Sequence, residues 1–146
     1  MFKIDWKKAE RAQSFVEVAI AMPVLLLILS GLLDLGRLYF TYVALEDGVG
    51  EAALYLSINP ECRNESDGAA CTDPNNAYYR AVNSGGQEVD WTKVTVDINR
   101  TGVTAGETVT VTMHYQYELL TPIIPRLAGM SHIDLTVVAT QTIVTE

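Results

Sequence analysis

The pattern of hydrophobic and polar positions begins with one long apolar run. From Val18 to Leu33 there are 16 residues without a charged side chain. As a helix at about 1.5 Å per residue, the run is about 24 Å long, slightly shorter than the apolar core of a bilayer. This predicts a membrane helix over residues 13–33. Glu17 is the anomaly, because a carboxylate in or near lipid is costly unless it has a partner.

The helical pattern continues beyond the membrane segment. Apolar residues recur at spacings of 4, 3 and 4, which predicts a stripe that packs on a globular domain: Leu45, Val49, Ala52 and Leu56. Gly48 and Gly50 weaken a helix here, so we expect close packing to require small residues. Asn59-Pro60 ends the helix. Pro23, in the membrane half, removes one backbone hydrogen bond and allows a kink or local unwinding.

Two opposite charges follow the apolar run. Asp34 and Arg37 are three residues apart and can share one helix face. The pair either marks the exit of the helix from the bilayer or forms ion pairs between the subunits of an assembly.

Over the last 60 residues the apolar positions recur with a period of two instead of the helical period. Three segments alternate apolar with polar side chains and are rich in β-branched residues: 93–98, 108–117 and 133–140. We expect an antiparallel sheet of three or four strands with its apolar face on the helix, hence an α+β fold. The apolar segment Leu119–Met130 either folds onto the core or forms an exposed patch for a neighbouring subunit.

The connection between helix and strands, residues 59–88, has the composition of a surface loop. It contains the only two cysteines, Cys62 and Cys71, and outside the cytoplasm we expect them to form a disulfide. Two cysteines without a nearby histidine make a poor zinc site. The triplets that begin at Asn64 and Asn99 are possible glycosylation sites.

Charge is distributed unevenly along the chain. Residues 1–12 carry four basic and two acidic side chains, whereas residues 41–146 carry five basic and 14 acidic ones. A basic flank ahead of an apolar helix places the N-terminus in the cytoplasm and the acidic remainder outside. The apolar run is too long for an ordinary secretory signal, so we interpret it as a retained anchor. An acidic domain also argues against nucleic-acid binding.

Sequence motifs for catalysis are absent. There is no Gly-rich phosphate loop, no Gly-x-Ser-x-Gly and no His-x-x-x-His pair. His114 falls on the polar face of a predicted strand, where an exposed surface histidine is expected. We therefore expect neither an enzyme nor a bound metal or cofactor.

The N-terminal third of the chain resembles the TadE-like pilin family, within the type IV pilin superfamily. The resemblance is carried by Arg11-Ala-Gln-Ser-Phe-Val-Glu-Val-Ala, by Pro23 in the apolar helix and by Asp34-Leu-Gly-Arg37. It implies that a prepilin peptidase cuts between Ala12 and Gln13, although Ala12 stands where the family usually has Gly. Glu17 would then be the fifth mature residue, able to neutralise the new amine of Gln13 on a neighbouring subunit.

What the resemblance implies is a structural subunit of a Tad-like type IV pilus. Residues 1–12 are then a cytoplasmic leader, 13–57 a helix that spans the inner membrane before assembly and forms the filament core afterwards, and 58–146 a β-rich domain outside. Expected partners are copies of itself or other pilins, the peptidase and the assembly platform. The mature form would be a surface fimbrium, a glycoprotein with a role in cell adhesion. The alternatives are a pseudopilin-like component of a secretion machine and a bitopic envelope protein whose ectodomain binds a ligand.

Overall fold

The computed structural model describes residues 6–86, 89–120, 129 and 131–145, with side chains described from residue 13 onward. Within these residues, two helices and three strands follow one another: α1 (Trp6–Ile58), α2 (Ala77–Ser84), β1 (Thr95–Arg100), β2 (Thr108–Glu118) and β3 (His132–Thr142). Short 3₁₀ turns lie in the connections at Glu65–Asp67, Ala69–Cys71 and Trp91–Lys93. The α+β class expected from the sequence is confirmed.

Helix α1 has 53 residues and is about 80 Å long at 1.5 Å per residue. It ends at Ile58, directly before Asn59-Pro60, as predicted. It starts at Trp6, inside the segment interpreted as a leader, and it remains helical on both sides of Pro23. The proline therefore does not divide the helix into two elements.

The C-terminal half of α1 buries the predicted stripe in the core of the globular domain. The stripe residues Leu45, Val49, Ala52 and Leu56 have almost no solvent exposure. Helix α2, which lies within the loop-like connection 59–88, packs beside this stripe through Ala77 and Ala81. Small residues on α2 allow its backbone to approach α1 closely.

The sheet has three antiparallel strands in the order β1-β2-β3. Ile98 pairs with Val111, and Val111 pairs with Ala139, so apolar side chains from all three strands lie on one face. Val111 and Met113 on this face are fully buried in the core that contains the α1 stripe. The outer face carries the polar partners of the alternation, and His114 is exposed there, as predicted. The predicted segment Leu119–Met130 lies largely outside the described residues.

The end of α1 is tied to the end of the chain. The backbone N–H of Val144 donates to the carbonyl of Ser57 at 2.9 Å, and the hydroxyl of Thr145 donates to the carbonyl of Ile58 at 2.6 Å. These bonds satisfy carbonyl groups that a helix C-terminus leaves without intrahelical partners. The residues after β3 thus fix the domain to α1.

The two glycines in the upper part of α1 have different surroundings. A Cβ at Gly48 would lie 2.9 Å from the indole ring of Trp91 and 3.1 Å from the carbonyl oxygen of Ala81. A Cβ at Gly50 would meet no atom within 4 Å. The expectation of close packing is therefore confirmed at Gly48 and wrong at Gly50, because the two positions point in different directions around the helix.

We predict that Gly48→Ala and Gly50→Ala change stability in opposite directions. Gly48→Ala lowers the free energy of unfolding by about 1–2 kcal/mol, because the new methyl group displaces Trp91. Gly50→Ala raises it by about 0.5–1 kcal/mol, because alanine favours a helix over glycine and nothing obstructs its side chain. Urea unfolding of the full chain in detergent micelles measures both. Equal effects of the two substitutions would contradict the packing described for Trp91.

Candidate assembly surface

The N-terminal half of α1 extends away from the domain and exposes its apolar side chains. No residue in the most apolar window of the helix is buried, and α1 is long and apolar enough to cross a membrane. The exposed residues cover the whole circumference of the helix; they include Phe15, Ile20, Val24, Leu25, Leu29 and Leu33. Apolar surface of this extent requires lipid or other protein chains as cover.

Glu17 carries the only charge between residues 13 and 33. Its side chain is exposed on the apolar part of α1. Among the side chains of α1 that the structure describes, Gln13 donates to Glu17 one long hydrogen bond, 3.4 Å from Nε2 to the carboxylate. A neutral amide at this distance does not neutralise a carboxylate, so Glu17 needs a cation in addition to its described partner if lipid or protein covers the helix.

The proposed processing junction between Ala12 and Gln13 lies inside α1. Gln13 is exposed, and the side chain of Ala12 is outside the described part of the chain. Cleavage after Ala12 stays a prediction. Pro23, also exposed, lies ten residues further along the same helix.

The two charged residues after the apolar run have different environments. Asp34 is 4% exposed, whereas Arg37 is exposed to solvent. Asp34 is therefore covered by the protein, whereas Arg37 is open to solvent. Two aromatic residues follow, Tyr39 and Phe40, which are 63% and 66% exposed and whose ring centroids are 6.2 Å apart.

The loop after α1 is closed by the expected disulfide between Cys62 and Cys71. Inside it, the Asp67 carboxylate accepts two hydrogen bonds from the Arg63 side chain, at 2.7 Å and 3.2 Å, and two from backbone N–H groups. These donors lower the pKa of Asp67 to about 2, and the Arg63 side chain makes the largest contribution. The charged form of Asp67 thus helps to hold the 3₁₀ turn beside the disulfide.

Both predicted glycosylation positions lie on the surface. Asn64 is exposed and caps the turn at Glu65–Asp67, where its Oδ1 accepts from the backbone N–H of Ser66 at 2.9 Å. Asn99 is exposed on the outer face of β1. Modification of either asparagine stays a prediction.

The outer face of the sheet is polar and exposed. The ring of His114 lies 2.9 Å from the hydroxyl of Thr136 and 3.8 Å from the carboxylate of Asp97. Among the described residues, no group of three or more His, Cys, Asp or Glu side chains is placed to hold a metal ion. This face is a hydrated surface in the part of the chain that the structure describes.

A family model described as TadE-like protein matches residues 12–54. The resemblance stated from the sequence is thereby confirmed over this segment, which is less than a third of the chain. The match runs from the predicted processing junction through the exposed apolar half of α1 and into its buried stripe. No curated protein and no solved structure matches the chain significantly.

We predict that Asp67 titrates at about pH 2 and that its ion pair stabilises the loop at higher pH. The folded pKa is lower than the unfolded value of about 3.9. The stabilisation is therefore complete above pH 4 and is lost as the pH falls through 2. We expect the ion pair to contribute about 1 kcal/mol to the free energy of unfolding, because solvent screens the partly exposed side chain of Arg63.

Carboxyl-detected NMR of the full chain in micelles measures this pKa. In the Arg63→Gln variant the pKa of Asp67 should rise toward its ordinary value. A pKa near 3.9 in the unmodified protein would show that the pair does not form in solution.

Proposed function

We propose that the chain is a structural subunit of a Tad-like type IV pilus and works by assembly through α1 rather than by catalysis. One observation carries the proposal. The apolar half of α1 is uncovered along its whole length, yet it continues without a break into the helix that forms the domain core. The TadE-like match over residues 12–54 independently associates this same helix with the Tad pilus.

Before assembly, lipid covers the apolar half of α1. The basic residues 1–12 lie on the cytoplasmic side, and the acidic domain lies outside the inner membrane. The disulfide between Cys62 and Cys71 supports this orientation, since disulfides persist in oxidising compartments. The anchored subunit is the substrate for the prepilin peptidase and the assembly platform.

After cleavage between Ala12 and Gln13, the apolar halves of neighbouring subunits replace lipid as the cover. Glu17 then lies in a bundle of apolar helices, where an unpaired carboxylate is strongly unfavourable. The new amine of Gln13 on a neighbour supplies the missing cation. Because only one axial offset brings the two groups together, the pair also fixes the register between subunits.

In such a filament the domain lies on the outside. The outer face of the sheet is polar and hydrated, and Asn64 and Asn99 are both exposed on the domain surface. This surface is available for adhesion, for glycosylation and for contact with other pilins. The same arrangement serves a pseudopilin-like component of a secretion machine, in which short assemblies replace a long filament.

The experiment compares Glu17→Ala with Asp47→Ala in cells that export the protein. Asp47 is an exposed carboxylate on the same helix, within the domain. Glu17→Ala should reduce the protein in the sheared surface fraction by at least about tenfold, because an apolar bundle would hold an unpaired amine. The Asp47→Ala variant should assemble normally. Quantitative immunoblotting of sheared and membrane fractions measures both variants.

A bitopic envelope protein with a ligand-binding ectodomain predicts a different result. Such a protein remains in the membrane and tolerates Glu17→Ala, because no neighbour has to be paired. If the unmodified protein never enters the sheared fraction and both variants accumulate normally in the membrane, the filament proposal is wrong.

A further inference from the structure

A cleft lies between α1 and the sheet at the level where α1 leaves its apolar run. Its volume is about 180 Å³. Its walls come from α1, from the turn before β1 and from the end of β2: Arg37, Thr41, Lys93, Tyr115, Tyr117, Glu118 and Leu120. Neither the pilus proposal nor the TadE-like match assigns a role to this cleft.

Tyr117, which lines the cleft, carries a buried hydroxyl group without a partner in the described part of the chain. Tyr117 is 5% exposed, and among the described residues its hydroxyl is the buried side-chain group that has no hydrogen-bond partner. Buried polar groups are nearly always paired, so an unpaired hydroxyl on a residue that lines a cleft favours a polar ligand there. A phenolic hydroxyl can donate its hydrogen to an anionic oxygen.

The charges around the cleft favour an anion. Arg37 is exposed on one wall, and none of the ion pairs among the described residues includes it. On the other wall, Nζ of Lys93 lies 3.2 Å from the carboxylate of Glu118. Two cations and one carboxylate leave a net positive charge. A cleft whose lining residues carry a guanidinium, an ammonium and a hydroxyl suits the oxygens of a phosphate group.

The position of the cleft along α1 indicates where the phosphate comes from. Arg37 follows the last residue of the apolar run, Leu33, by four residues, about 6 Å along the helix. Tyr39 and Phe40, exposed beside it, are aromatic residues at the height where membrane helices enter the headgroup layer. The cleft therefore opens at the level of lipid headgroups whenever α1 spans a membrane.

We propose that this cleft binds the phosphodiester of an anionic phospholipid headgroup. Arg37 and Lys93 hold the phosphate oxygens at the mouth, and Tyr117 donates a hydrogen bond from inside. The bound lipid fixes the height of the domain above the bilayer. The proposal requires α1 to be a membrane helix but does not depend on filament assembly, so the two proposals can fail separately.

The test is native mass spectrometry of the full chain released from detergent micelles. The micelles contain equal amounts of phosphatidylglycerol and phosphatidylcholine, and a separate series contains inorganic phosphate without lipid. The variants are Arg37→Gln and Tyr117→Phe. The controls are Arg80→Gln and Tyr78→Phe, which remove the same groups from the surface of α2.

We expect the chain to retain phosphatidylglycerol in preference to phosphatidylcholine. Arg37→Gln should weaken retention about tenfold and Tyr117→Phe about fivefold, as expected for a charged and a neutral donor. Both controls should stay within about twofold of the unmodified protein. Thermal unfolding in lipid-free micelles separates binding from folding, because Tyr117→Phe removes a hydroxyl without a partner and should leave the melting temperature unchanged or higher.

Three outcomes would overturn the proposal. Equal retention of the two lipids would show that the cleft does not select an anionic headgroup. Equal losses of phosphatidylglycerol in Arg37→Gln and Arg80→Gln would show that retention depends on the overall charge of the protein and not on the cleft. Binding of inorganic phosphate that is sensitive to Tyr117→Phe, without retention of phosphatidylglycerol, would make the ligand a free phosphate.

Discussion

The apolar half of α1 must be covered, and the rest of the molecule depends on this requirement. Between residues 13 and 33 the helix exposes Leu, Ile, Val and Phe side chains on every side. Contact of this much apolar surface with water is unfavourable. The domain cannot fold back over this surface, because its own core is already filled by the other half of the same helix. The cover must come from lipid or from other chains.

The exposed apolar half of α1 and the domain core are coupled mechanically, because one continuous helix belongs to both. The stripe from Leu45 to Leu56 joins the domain to α1, and the hydrogen bonds of Val144 and Thr145 close the end of the helix. Whatever fixes the exposed half of α1 therefore also fixes the domain, either above a membrane or on the outside of a bundle. Lipid and neighbouring chains are not equivalent as cover for Glu17. A neighbouring chain can offer this carboxylate a cation at a fixed position, and the apolar part of a bilayer cannot.

Much of this fold follows from the sequence, because its signals are local. Period two defines the three strands, and the stripe at spacings of 4, 3 and 4 defines the buried face of α1. The mistake at Gly50 shows the limit of local reasoning. The sequence identifies a small residue in a helix, but only the placement of Trp91, more than 40 residues later, decides which glycine is closely packed.

The environments of Asp34 and Arg37, where α1 leaves its apolar run, could not be predicted from the sequence for the same reason. The spacing of Asp34 and Arg37 indicates a shared helix face, yet the rotation of α1 against the domain buries the first and exposes the second. The cleft beside them joins Arg37 to Lys93 and Tyr117, which come from three separate elements. Tyr117 fits the alternation of a strand, and nothing in that pattern distinguishes a paired hydroxyl from an unpaired one.

The most direct measurement is the intact mass and N-terminal sequence of the protein sheared from the cell surface. If neighbouring helices replace lipid around α1, the sheared chain begins at Gln13, and residues 1–12 are missing from its mass. A chain that begins at Met1 and occurs only in the membrane fraction would contradict assembly through α1.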